Sequence, residues 1–104
     1  PCFVIIIAAR MVGVHAQTLR YYERVGLIWP SRTVGRQRLY TPSDIERLRR
    51  IKTFTEEMGV NLAGAEVALK LIERIGQLEK ENQMLSEEVS GLHSQLRRRL
   101  GSPE

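Results

Sequence analysis

The run HAQTLRYYERVG carries His15, Gln17, Thr18, Arg20, Tyr21 and Arg24, and Arg32, Arg36, Arg38 and Tyr40 follow in SRTVGRQRLY. These side chains can handle phosphates and base edges. Arginine offers a planar fork to phosphate or guanine, glutamine offers an amide pair to adenine, and hydroxyls can meet phosphate. At helical spacing, Leu19, Tyr22 and Val25 form an apolar stripe that should face inward. Gln17, Thr18, Arg20, Tyr21 and Arg24 then stand outward, as on a helix that lies in a DNA major groove. His15 either caps that helix or touches the same ligand. Arg36 and Arg38 alternate with Gln37, so both point to one face of an extended arm, and Tyr40 ends it.

Other chemistry finds little support. The single cysteine, Cys2, makes no intramolecular disulfide or metal site, and His15 and His93 lie on separate elements. There is no Ser–His–Asp or Cys–His grouping, paired carboxylate or phosphate loop. The sequence therefore predicts a protein that is not an enzyme and needs no cofactor or metal. The apolar run CFVIIIAA is far below the ~20 residues that span a bilayer and lacks a signal peptide's basic leader. A cytoplasmic, nucleoid-associated protein with no membrane partner is expected. The formal charge of +4 is unevenly spread. Residues 1–60 hold ten Lys/Arg against five Asp/Glu, and residues 61–104 hold six against seven. The positive field thus belongs to the amino-terminal part and suits a polyanion.

The elements that must position these residues can be read in order. Ile7, Ala8, Met11 and Val12 recur at helical spacing before a break at Gly13. Ala9, Gly13 and Leu19 have the spacing of a helix-turn-helix, in which a small residue allows close approach, glycine takes the turn and an apolar residue closes the core. Trp29–Pro30 and Gly35 then delimit a β-hairpin, a wing over about residues 27–40 with its tip near Thr33–Gln37. Thr41, Pro42 and Asp44 start a helix as cap, first helical residue and capping-box partner. Ile45, Leu48, Ile51, Phe54 and Met58 form its apolar face, and Gly59 ends it. Asn61 caps a further helix with Leu62, Ala65, Leu69 and Ile72 inward.

Leu71, Ile75, Leu78, Asn82, Leu85, Val89, Leu92 and Leu96 are spaced 4, 3, 4, 3, 4, 3, 4. That is a coiled-coil seam in which only Asn82 is polar, and it calls for a partner helix, most economically a second copy of the chain. The expected fold is all-α with a small β-hairpin wing. A winged helix-turn-helix DNA-binding domain occupies residues 1–72, a long coiled-coil dimerisation helix 73–100 and a tail 101–104.

The run TLRYYERVGLIWPSRTVGRQRLYTPSDIERL resembles the MerR family of bacterial transcriptional regulators, with a match from about Ile5 to Ile72. GVHAQTLRYYERVGL, SRTVGRQRLY and MGVNLAGAEVAL further resemble its heat-shock repressor (HspR) branch. The resemblance implies a homodimer that binds, bends and untwists a palindromic promoter. It implicates Thr18, Arg20 and Tyr21 from the recognition helix and Arg36, Arg38 and Tyr40 from the wing, with Glu23 structural. Metal-sensing members use cysteines along or after the coil, and none stands there. Drug-sensing members carry a large carboxy-terminal domain, where this chain ends. The HspR branch implies repression of chaperone genes with a DnaK-type chaperone as co-repressor. Two departures stand out. Ile6 takes the place of the usual Ser or Thr cap of the first helix, and Arg10 replaces a frequent acidic residue.

The family pairs its coils antiparallel, whereas Asn82 at an a position among leucines at d suits parallel dimers. The antiparallel architecture is preferred, because two DNA-reading heads must lie about one helical turn or its multiple apart. The alternative function is a coiled-coil adaptor whose basic head tethers non-specifically to nucleic acid.

Overall fold

A computed structural model describes residues 1–101 of the chain, so most of the expected tail lies outside the described residues. The chain divides into two compact units, Pro1–Leu69 and Lys70–Glu104.

In the first unit, helix α1 spans Ile5–Val12 and helix α2 spans Ala16–Arg24. Strands β1 (Ser31–Arg32) and β2 (Arg38–Leu39) form the wing, helix α3 spans Pro42–Lys52, and helix α4 begins at Leu62. The cap of α1 is Val4, not Ile6. Phe3 and Tyr40 exchange two backbone hydrogen bonds of 2.8 Å, which keeps the chain extended until Val4. Val4 has no side-chain acceptor, so this helix start is uncapped by any side chain. The buried face of α1 is Ala8, Ala9 and Val12, while Ile7 and Met11 are exposed. The small residues face inward because α2 and α3 both pack close to α1.

Gly13 ends α1 at φ 83°, and a Cβ there would lie 2.9 Å from Lys52 Nζ. That ammonium donates to the carbonyls of Val12 (3.2 Å) and Gly13 (3.3 Å), placing a cation at the negative end of the α1 dipole. Leu19 and Tyr22 of α2 are buried, but Val25 is 44% exposed. The helix stops at Arg24 and the chain turns at Gly26 (φ 82°), so Leu27 and Ile28 enter the core instead.

The antiparallel wing pairs Ser31 with Leu39 and Arg32 with Arg38. Its tip falls within residues 33–37, closed by Arg36 N–H to Thr33 O (2.8 Å) and Thr33 N–H to Gln37 O (2.9 Å). The left-handed residue is Arg36 (φ 67°), not Gly35. Arg32 Nη1 donates to the Arg36 carbonyl (3.1 Å) and helps to hold that conformation.

Helix α3 starts with a complete capping box. Asp44 N–H donates to Thr41 Oγ1 (3.0 Å), and Thr41 N–H donates to Asp44 Oδ2 (2.9 Å). Beyond Lys52 the helix widens into a π-turn over Thr53–Glu57. The Thr55 hydroxyl donates to Ile51 O (2.9 Å) within this wider turn. The extra residue shifts the helical phase, which leaves Phe54 half-buried and Met58 63% exposed instead of in the core. Asn61 Oδ1 accepts from Gly64 N–H (2.8 Å) and caps α4. Ala65 and Leu69 of α4 are buried. Ala8, Ala9, Val12, Leu19, Tyr22, Leu27, Ile28, Tyr40, Ile45, Leu48, Ile51 and Leu69 make one continuous core.

Helix α4 runs Leu62–Arg99 without interruption, so the two helices expected from the sequence are one. In the second unit every apolar residue of the expected seam is exposed, from 45% at Leu78 to 64% at Val89.

Thr41→Ala removes one half of the capping box. It should cost about 1 kcal/mol and lower the melting temperature by about 4–8 °C in a unit of this size. Thermal denaturation followed by circular dichroism checks this, and an unchanged midpoint would show the box to be dispensable.

Candidate nucleic-acid interface

Helix α2 presents Gln17, Arg20, Tyr21 and Arg24 to solvent, with His15 exposed just before it and Thr18 half-buried. His15 is the N-cap residue by backbone geometry, but its ring makes no capping bond. The outward side chains support each other in pairs. Arg20 Nη1 donates to Gln17 Oε1 (2.8 Å), and the Arg24 guanidinium lies 5.4 Å from the Tyr21 ring centroid. Spacing of three residues on a helix brings both pairs together. Tyr22 turns the other way. Burial pushes its hydroxyl pKa up, partly offset by a hydrogen bond with Thr55.

The wing is tied to α2 by one carboxylate. Glu23 Oε2 accepts from Arg32 Nη2 at 2.8 Å, and Glu23 Oε1 accepts from Arg38 Nε at 2.5 Å. The two arginines are cross-strand partners, so a single side chain of α2 grips both strands. Burial by itself would raise the Glu23 pKa. The hydrogen bonds and charges of Arg38 and Arg32 outweigh it and hold the carboxyl below its ordinary value. Arg36, at the tip, is exposed, and its backbone N–H and carbonyl are bonded to Thr33 and Arg32 respectively.

Tyr40 departs from the sequence expectation. The sequence places its hydroxyl within reach of phosphate at the end of the arm, but Tyr40 is 0% exposed and belongs to the core. Pairing with Phe3 turns this residue under the wing. Its hydroxyl is the one buried side-chain polar atom without a hydrogen-bond partner among the described residues. Burial raises its pKa, and the charges that act on it belong to Arg38, Glu23, Arg32 and Arg20, so it lies behind the clamp.

Sequence reasoning missed further basic contacts. Arg47 Nε donates to Leu27 O (2.7 Å), and its guanidinium lies 5.1 Å from the ring centroid of Trp29, which is 67% exposed. Arg49 Nη2 donates to Met11 O at 3.4 Å. These pairs are distant in sequence, and local spacing carries no signal for them.

Two measurements follow from this geometry. A buried hydroxyl without an acceptor costs about 1–3 kcal/mol, so Tyr40→Phe should leave the urea midpoint unchanged or raise it. A loss above about 1 kcal/mol would mean that the hydroxyl is bonded in solution. The lowered Glu23 pKa stabilises the fold above the ordinary glutamate range, and this contribution is lost as pH falls through the folded value. Glu23→Gln should therefore flatten the acid side of the stability profile. Parallel profiles for the two proteins would show that the clamp adds nothing.

The sequence profile of the MerR HTH family regulatory protein matches residues 5–72. The chain is 38% identical over 99 residues to the heat shock protein HspR of Streptomyces coelicolor, covering 95% of this chain and 66% of that protein. It is 36% identical over 83 residues to the HTH-type transcriptional regulator GlnR of Bacillus anthracis, covering 80% of this chain and 57% of that one. The chain thus spans somewhat under two thirds of the length of these relatives. Two solved structures share the fold at 22% identity. One is a MerR family transcriptional regulator from Bacillus cereus, with a TM-score of 0.61 over 100% of this chain and 86% of that one. The other is HiNmlR, a MerR family regulator lacking the sensor domain, solved bound to promoter DNA, with a TM-score of 0.60 over 98% and 92%. These relatives are regulators and not enzymes. With a matching profile over most of its length and relatives above 30% identity, this chain belongs to the MerR HTH family of regulatory proteins.

Proposed function

We propose that the chain is a sequence-specific transcriptional regulator that binds double-stranded DNA as a homodimer at a palindromic promoter site. The observation that carries this is the polar, basic face of α2 beside a wing of arginines, within the part that matches the family profile. An α-helix fits the major groove of B-DNA, so α2 enters there. Gln17 and Arg20 meet base edges, and His15, Thr18, Tyr21 and Arg24 meet bases or phosphates around them. Arg32, Arg36 and Arg38 meet the backbone. Tyr40 supports the wing from beneath.

Residues 1–72 serve as the DNA-binding domain and 73–100 as the dimerisation helix. The uncovered stripe of Leu71, Ile75, Leu78, Leu85, Val89, Leu92 and Leu96 favours a second copy as its partner, with Asn82 inside the seam. Fully burying one such side chain gives about 1.5–3 kcal/mol, so seven of them left in water are a strong drive to associate. Antiparallel pairing suits two heads on successive half-sites. The likeness to HspR supports a heat-shock repressor, and we extend this reading to chaperone genes as targets and a DnaK-type chaperone as co-repressor. Such a protein works at the nucleoid in the cytoplasm, and among the described residues no helix is long and apolar enough to cross a membrane.

Selecting bound fragments from random or genomic DNA tests the reading and yields half-site and spacing together. Inverted repeats should be recovered. Equal binding to selected and scrambled duplexes at ~150 mM salt would instead favour the adaptor, because non-specific affinity is weak there. Gln17→Ala or Arg20→Ala should change the preferred sequence. Arg36→Ala should weaken all duplexes alike and lower the salt slope by about one. Cutting the chain near Gly76 should abolish dimers, and tight operator binding by the fragment would refute the homodimer.

A further inference from the structure

The clamp at Glu23 raises a problem for a DNA-binding surface. A carboxylate beside the wing arginines weakens the positive field that would attract phosphate, and a surface tuned only for charge would have no acid there. The geometry of the contact explains why it is useful. Each Glu23 oxygen takes one arginine, and the two arginines sit opposite each other on β1 and β2. Arg38 is engaged through Nε alone, which leaves the Nη1–Nη2 fork without a partner among the described residues. Arg32 uses Nη2 for Glu23 and Nη1 for the Arg36 carbonyl, so both ends of its fork are already shared, with α2 and with the wing, before any phosphate is met. One arginine is thus a tie and the other an oriented donor.

We propose that Glu23 is a positioning residue of the interface: without touching DNA, it fixes Arg38 so that the outer fork is held ready for one backbone phosphate. A free arginine carries a large rotamer entropy, part of which is lost when it docks. Anchoring Nε to a carboxylate removes much of that freedom before DNA arrives, and a planar fork meets phosphate with two parallel hydrogen bonds. The half-buried setting of both partners, with side chains 24% and 25% exposed, keeps the anchor from being diluted by water. Tyr40 lies buried near enough to the same group for its hydroxyl to feel the Arg38 charge.

This inference rests on the DNA-binding reading and makes a prediction opposite in sign to that of charge alone. Glu23→Gln removes a negative charge from the interface. If only the field mattered, the variant would bind duplex more tightly and with a steeper salt dependence. If Glu23 positions Arg38, the full-length variant should bind the selected duplex about tenfold more weakly. Its salt slope should also be shallower by about one. In an Arg38→Ala background, Glu23→Gln should no longer weaken binding. Arg38→Lys keeps the charge and the ion pair but has no fork, so it too should bind about tenfold more weakly.

Fluorescence anisotropy titrations of the full chain over a salt series, on the selected and a scrambled duplex, give all of these values. Circular dichroism controls for folding, and if Glu23→Gln does not fold, Arg38→Lys decides. Binding by Glu23→Gln that equals or exceeds that of the wild type overturns the proposal, as does wild-type affinity in Arg38→Lys. Either result leaves the DNA-binding reading intact. Wild-type protein that binds neither duplex sinks both.

Discussion

The wing depends on one shared carboxylate. Two strands of two residues each cannot hold themselves in water, since isolated hairpins are marginal even when longer. Glu23 solves this by taking one arginine from each strand, and the Phe3–Tyr40 bridge extends the pairing to the start of the chain. The wing and the outward face of α2 are therefore built as one surface. Because Glu23 lies on α2 itself, movement of that helix would carry both wing arginines with it.

Beneath that surface the core achieves close packing with small residues. Ala8 and Ala9 let α1 approach its neighbours, and Lys52 reaches back from α3 to the last carbonyls of α1. The larger side chains, Leu19, Leu27, Ile28, Tyr40, Leu48 and Ile51, fill the space between. Little of this core comes from α4, whose buried contribution is Ala65 and Leu69. The rest of that helix carries the apolar seam, whose residues are exposed along its length.

Several elements were legible in residue order because their causes are local. The capping box of Thr41 and Asp44, the break at Gly13, the Asn61 cap and the seam from Leu71 to Leu96 depend on neighbours within a turn or a heptad. The pairing of Arg20 with Gln17 and of Arg24 with Tyr21 has an equally local cause, a spacing of three residues, but emerged only in the structure. Other readings failed where local periodicity met a non-local or cooperative effect. Met58 has the right spacing for a core residue, but the π-turn moves it out of phase. Ile7 and Met11 are more apolar than Ala8 and Ala9, yet close helix packing selects for size and not for hydrophobicity.

By itself, then, the sequence determined most of the element types, the polarity of the α2 face, the concentration of positive charge and the heptad spacing of the seam. Each of these follows from composition or from spacing within a few residues. Only the tertiary structure decided that Tyr40 lies inside, that Arg36 takes the left-handed position, and that Arg32 and Arg38 share Glu23. The Glu23 and Tyr40 contacts join residues 9, 15 and 37 positions apart, and no local rule ranks one such meeting above another until the chain has folded.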